Sequence, residues 1–382
     1  MYKKIICPAL CLLISVSLIS CSSIETVELN ERLIIESIGI DGENGIYKVT
    51  IEGLDSFTAG NDSTSISGEA LTKCFLFEGD TIGMAMNSIS VITGQIPLFS
   101  QARVLIIGRE TAENKLAEVL DFFRREYTTR TDILIAVAEN KASDIISADY
   151  GKNVSAGNIL EAALYSYEHT GTSAYVPLYQ FFNSAMNETD SAYCPLVGVK
   201  TNRYSEKSEV SIYGTIALGK EKSIVLTPEM TQAMMLINND IKNGDLSLEA
   251  QKGLCTIEII SSRTKTKVSI DDKNVIFDIH TELRCDIPEY QSPDFSGLTR
   301  EDTETIAGMT AKKIAVNMLN TLEAVYFGEN YDIFSFGRRI NLKNSGFYES
   351  TLKKDGSFVQ RTICNISVTV SVRRIGKVVL KK

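Results

Sequence analysis

Histidine is nearly absent from this chain of 382 residues: only His169 and His280 occur, far apart and without ligand-like neighbours. Imidazole is the usual general base and the commonest metal ligand. Its scarcity therefore argues against histidine-dependent hydrolysis and against a histidine metal site. A G-x-S-x-G elbow, an H-E-x-x-H helix, a full G-x-x-x-x-G-K-S/T loop and a G-x-G-x-x-G helix start are also missing. Cysteine is present eight times, but no C-x-x-C occurs. Cys7 and Cys11 fall in the first twenty residues, and Cys21 follows directly. Cys74, Cys194, Cys255, Cys285 and Cys364 remain, an odd number at long spacings, which disfavours a disulfide scaffold or a zinc site. Small buried hydrophobes are the better reading, with one isolated disulfide left open. Positive charge is also short, with 39 Lys+Arg against 48 Asp+Glu and a net charge of -9. Phosphate binding needs clustered cations, so the acidic balance argues against a nucleic-acid role. Tyrosine and phenylalanine, 15 each, are scattered and form no stacking platform.

No long apolar run follows residue 20, and what precedes it is distinctive. Lys3 and Lys4 are followed by an apolar stretch from Ile5 to Ile19, then Leu18-Ile19-Ser20-Cys21. The stretch is shorter than the roughly 20 residues a spanning helix needs and has the form of an export signal. Its end has the form of a lipobox: small Ser20 admits a peptidase, and the Cys21 thiol accepts a diacylglyceryl group before cleavage makes it the mature N-terminus. Two acyl chains anchor stably where one does not, at about 0.8 kcal/mol per buried methylene. Cys21 is thus the expected lipidation site, on a chain anchored to the membrane without threading it. Removing Lys3 and Lys4 takes 39 Lys+Arg to 37 against 48 Asp+Glu, a mature side-chain charge of -11. Such a surface does not adhere to anionic lipid by charge, which leaves anchoring to the acyl chains.

Length alone predicts two or three domains. Leu33 to Ile40 and Ile46 to Leu54 read as a hairpin around Asp41-Gly42-Glu43-Asn44-Gly45. Those acids resemble a calcium loop only in part, since the twelfth-position glutamate is missing. Asp55 to Ser65 reads as a loop. Asp80 is the expected cap of a helix to about Thr93, with Ile82, Met86, Ile89 and Ile92 inward. Strands at Arg103–Gly108 and Asp132–Ala138 alternate with helices at Ala112–Arg125 and Lys141–Ala148, predicting a mixed sheet with packed helices. Residues 21–149 are read as an N-terminal α+β domain after the signal peptide, residues 1–20. Residues 150–250 are read as a middle mixed domain. It has helices at Ala156–Tyr167 and Pro177–Met186, strands at Leu196–Thr201 and Val210–Leu218, and a polar linker from Asn238 to Glu249. Residues 251–382 form a C-terminal α+β domain. Its strands lie at Cys255–Ser261, Lys265–Ile270 and Val275–Arg284, and a long helix runs from about Glu301 to Tyr326. Ile306, Met309, Ile314, Met318, Leu322 and Val325 point inward, and a final strand alternates from Cys364 to Arg373. The fold class is α+β, with a last sheet and one long packed helix. Acid pairs such as Asp271-Asp272 and Asp240 with Asp245 read as solvated turns, and Arg338-Arg339 and Arg373-Arg374 as solvated basic pairs. Nothing predicts an enzyme, a metal or a cofactor.

Several stretches, in order, resemble the Ger(x)C family of spore germination lipoproteins. They are Glu28 to Leu33, Ser37 to Asp41, Arg103 to Gly108, Leu120 to Arg125 with Thr129-Arg130, and Ile212 to Leu218. The last is Asp332-Ile333-Phe334-Ser335-Phe336-Gly337, similar to the family's D-x-x-G-x-G element. Two departures mark a divergent member: the chain lacks tryptophan, with Phe347-Tyr348 at one expected position, and Ser335 replaces the first glycine. The resemblance implies three α+β domains. It also implies a non-enzymatic C subunit of a nutrient germinant receptor on the outer face of the spore inner membrane, beside membrane A and B subunits. Direct nutrient binding does not follow from it. The competing expectation is a lipid-anchored solute-binding protein of a transporter, built as two hinged lobes.

Overall fold

The computed structural model describes residue 28 and residues 31 to 379, apart from 56–71, 127, 153, 220–221, 242, 251–252, 272–273, 292–297, 353–357 and 377. The expected lipidation site Cys21, the signal peptide and most of the Asp55–Ser65 loop lie outside the described residues. The fold is α+β, with a nine-stranded and a five-stranded sheet.

Strand β1 (Arg32–Glu43) turns into β2 (Ile46–Asp55) through Asn44 and Gly45, whose φ values of 52° and 83° fit the two-residue turn that matches strand twist. Asp41 and Gly42, expected in the turn, stay in β1, paired with Lys48 and Tyr47. The Asp41 carboxylate is instead used far away, accepting from the Ala142 and Ser143 N–H groups at 2.8 and 3.0 Å. Strand β3 (Thr72–Gly79) lies antiparallel on β2. Helix α1 (Ile82–Thr93) is capped by Thr81, one residue after the expected Asp80, because the Thr81 hydroxyl accepts from the Met84 N–H. Ile82, Met86 and Ile89 are buried as expected, but Ile92 is exposed. Strand β4 (Ile96–Leu98) then pairs with the start of β1.

Strands β5 (Val104–Ile107) and β6 (Leu134–Ala138) are apolar on both faces and fully buried, as internal parallel strands must be. The helix between them, expected as one piece, is two: α2 (Arg109–Asn114) and α3 (Leu116–Arg125), broken at Lys115. The short α4 (Ala142–Ile146) and then α5 (Ala156–Tyr165) follow. The α5 N-terminus is held by buried Glu52, which accepts from the Ala156 and Gly157 N–H groups and from the Ser37 and Ser155 hydroxyls. After α6 (Leu178–Met186), strands β7 (Ala192–Thr201), β8 (Ser208–Leu218) and β9 (Ser223–Leu226) complete the first sheet. Its order is β3-β2-β1-β5-β6-β7-β8-β9, with β4 beside β1. The strands expected near residues 196–218 thus extend this sheet, β7 lying parallel on β6.

Helix α7 (Pro228–Asn238) is buried from Thr231 to Ile237. A helix apolar nearly all round belongs inside a core, and here one core runs from the first sheet through α7 into the second. The expected linker contains a strand, β10 (Gly244–Ala250), because Leu246 and Leu248 alternate with polar residues and pair with Ile257 and Cys255. The two strands expected next are one, β11 (Gly253–Asp271), kinked at two bulges. It pairs with β12 (Asn274–Gln291).

Helix α8 (Arg300–Thr321) opens with a capping box: the Thr299 hydroxyl accepts from the Asp302 N–H, and the Asp302 carboxylate accepts from the Thr299 N–H at 3.0 Å. It buries Ile306, Ile314 and Met318, while Met309 is half-buried. A wider turn, Leu322–Gly328, then keeps Leu322, Val325 and Tyr326 on the buried side. Helix α9 (Phe336–Lys343) follows. Strand β13 (Thr362–Ile375) runs parallel to β12, with β14 (Val378–Val379) at the edge.

Candidate functional site

The last turn of α7, the end of α6, the start of β7 and the segment leading into α9 enclose a polar cleft of about 550 Å³. Ile333, Phe334 and Ser335 line it, and one buried carboxylate behind them holds that segment in place. Asp332 accepts from the Phe334 and Phe336 N–H groups through Oδ1, at 3.2 and 2.9 Å, and from the Gly337 N–H through Oδ2 at 2.7 Å. Burial nevertheless pushes its pKa up to about 7, against the three backbone donors. The same segment is stitched to the first sheet. The Ser191 N–H donates to the Asp332 carbonyl, the Asp332 N–H to the Ser191 hydroxyl, and the Asn238 side-chain amide to the Ile333 carbonyl at 3.0 Å. Gly337 is needed for this approach: a Cβ there would stand 2.7 Å from that of Thr189. Ser335, where the family's glycine is expected, holds φ at 55°, the left-handed region glycine favours.

Around that segment stand groups of both signs. Asp190 accepts from the Asn187 side-chain amide and the Thr189 hydroxyl, each at 3.1 Å, and burial raises its pKa while Arg338 opposes the shift. Asp240 stands at the exposed rim, where partial desolvation raises its pKa against the pull of Arg339. Asp240, Arg338 and Arg339 all line the cleft; Asp240 and Arg338 are exposed there, as expected for solvated groups, and Arg339 is half-buried. Asp245, paired with Asp240 in the sequence reading, sits apart on β10. Asn238 Oδ1 is buried in the cleft wall with no hydrogen-bond partner among the described residues.

A second recess of about 420 Å³, beside Asp41, Lys48, Arg109 and Lys141, differs in being internally satisfied. There Glu43 pairs with both Lys48 and Lys141, and Arg109 with Glu113. The Asp41–Asn44 acids are thus part of a hairpin and a helix cap, as the missing glutamate predicts. His280 lies on an exposed strand face against Ser367, far in sequence and element from His169. The five cysteines in the described residues are free; Cys194, Cys255 and Cys285 are buried, and Cys74 is exposed with its thiol on the Ile146 carbonyl. Among the described residues no cluster of three metal-ligating side chains occurs. The cleft can hold a polar group or a partner segment by charge and hydrogen bonding.

Two family profiles match this chain. The one described as spore germination protein N-terminal domain covers residues 25–199, and the one described as spore germination B3/GerAC like, C-terminal, covers residues 214–376. They meet within the β7–β8 hairpin, inside the first sheet. Among curated relatives, the chain is 23% identical over 284 residues to spore germination protein GerQC of Bacillus cereus, covering 73% of this chain and 75% of that one. To spore germination protein B3 of Bacillus subtilis it is 19% identical over 332 residues, covering 86% and 87%. The crystal structure of the GerBC protein matches with a TM-score of 0.55 at 16% identity, covering 88% of this chain and 96% of that one, which shows a shared fold.

Proposed function

The chain belongs to the GerAC-like family of spore germination proteins, and from that premise we propose that it is the lipid-anchored, non-enzymatic subunit of a nutrient germinant receptor. Residues 1–20 serve as its export signal, and acylated Cys21 holds it on the outer face of the spore inner membrane beside integral-membrane A and B subunits. The observation that carries this reading is the family match, running in order over residues 25–199 and 214–376 directly behind the Ser20-Cys21 junction. Support comes also from the described helices, none of which is long and apolar enough to cross a membrane.

An anchor suits a subunit that works by contact. Confinement to a surface raises the effective concentration of its folded part beside membrane partners, so modest interfaces suffice. A signal passes through such a subunit only if the bound partner or ligand favours one of two arrangements. The polar cleft, where α7 and α9 join the two sheets, is the place where such a preference can be expressed. The solute-binding alternative finds no support: two hinged lobes require separate cores, and here one core is continuous.

The test is a gene deletion complemented with wild-type or Cys21→Ala protein, scored by nutrient-triggered germination and by membrane fractionation of spores. The deletion is expected to lose at least one nutrient response. The Cys21→Ala protein is expected to keep its uncleaved apolar leader, seen as a larger mass in the membrane fraction, and to restore germination poorly. Unchanged responses to every nutrient in a strain without related receptors would overturn the receptor reading.

A further inference from the structure

The one apolar position of α1 that the sequence phase puts inward and the fold leaves outside is Ile92, 65% exposed. Beside it Val91 is 84% exposed, and after the Gly94 cap Ile96 is 45% exposed. These three residues fall within one short stretch, and its position is fixed by β-pairing. Ile96 lies opposite Arg32, the first residue of β1. Ten residues separate Arg32 from Cys21, a span of no more than about 40 Å even if fully extended. The exposed apolar cluster therefore sits where the chain arrives from the proposed anchor.

We infer that Val91, Ile92 and Ile96 are a membrane-docking surface, which inserts into the headgroup and upper acyl region of the bilayer and orients the anchored subunit. The inference rests on the anchor reading above. The occupant is lipid because the tether delivers this end of the sheet to the bilayer. Its contact is apolar and not electrostatic, since the mature chain carries -11 and gains nothing from anionic headgroups. Interfacial insertion of a few apolar side chains to about 5–10 Å needs no spanning helix. A chain pinned by its acyl chains alone would rotate freely about its tether. A second contact beside the tether restricts that rotation and holds one face toward membrane partners.

The absence of tryptophan makes the test direct, since Ile92→Trp introduces a single indole. The control is Tyr204→Trp. Tyr204 is fully exposed in the β7–β8 turn, and the parallel register of β1, β5, β6 and β7 puts that turn beyond the end of the sheet opposite Arg32. Two forms of each variant are placed on phosphatidylcholine vesicles: the mature chain purified from membranes, and residues 22–382 tethered by an N-terminal histidine tag to a nickel-chelating lipid. Mass spectrometry reports the state of Cys21 in the first. In both forms the Ile92→Trp emission is expected to move to shorter wavelength by roughly 10 nm as the indole leaves water. Brominated acyl chains should quench it at least about twofold, and adding Val91→Glu should abolish both effects. Tyr204→Trp should stay as in solution. A solution-like Ile92→Trp spectrum on the tagged, tethered chain would overturn the docking surface and assign the cluster to a protein partner, as would equal quenching of Tyr204→Trp. An unmodified Cys21 with a shifted tagged chain would sink the anchor reading alone and leave the docking surface standing.

Discussion

Replacing Asp332 by Asn removes the buried titration behind the cleft wall. Asn keeps one oxygen for the Phe334 and Phe336 N–H groups but turns its NH2 toward the Gly337 N–H, so it also loses that third bond, at every pH alike. In the folded chain Asp332 is pushed up to about 7, and it is 4% exposed, so solvent screening is slight. In the unfolded chain it returns to about 3.9. Between those values the folded state binds the proton and the unfolded state does not, so this group's stabilising contribution falls as pH rises through 7. From pH 5 to pH 8 the loss is about 2 units of pKa, or about 2–3 kcal/mol. Asn cannot titrate. The Asn variant should therefore lose less stability than the wild type over that interval, by about 2–3 kcal/mol. Urea unfolding at both pH values, followed by far-ultraviolet circular dichroism, measures the difference; contributions of groups that do not interact with Asp332 cancel in the comparison. Parallel pH profiles for the two proteins would refute the argument. They would mean that the three N–H donors fully offset the burial of the carboxylate.

Three further changes test neighbouring parts of the fold. Ser335→Gly should raise stability by about 1 kcal/mol, because φ of 55° strains serine and suits glycine, and a thermal unfolding scan reads the shift. Glu52→Ala should cost about 2–4 kcal/mol in urea unfolding at pH 7, since it strands the Ala156 and Gly157 N–H groups, removes the acceptor of Ser37 and leaves Ser155 only the longer contact to Glu36. Thr299→Ala should cost about 1 kcal/mol by removing half of the α8 capping box, a loss that Thr299→Ser should largely restore.

Much of the architecture could be read along the chain because it is local. Alternation from Cys364 to Arg373 specified β13, Asn44-Gly45 specified the hairpin turn, and a stripe from Ile306 to Val325 specified the long helix. Where the reading failed, a competing interaction decided. Ile92 follows the helical phase of α1 but is left outside, and the helix expected over Ala112–Arg125 breaks at Lys115. Leu246 and Leu248 sit in a polar, turn-like stretch, and only their pairing with β11 makes β10 a strand.

The sequence by itself determined the period of each element and the acidic balance of the chain, and it carries the expectation of an acylated Cys21. These depend on neighbours along the chain, and one-dimensional order carries them. Only the tertiary structure decided that β7 to β9 extend the first sheet, that α7 joins two sheets into one core, and that Asp190, Asp240, Arg338 and Arg339 share a cleft whose wall segment is held by buried Asp332. A carboxylate in a solvated turn and one in a cleft wall read alike in sequence. They part only when distant segments such as Asn238 and Ile333 close over them and remove water.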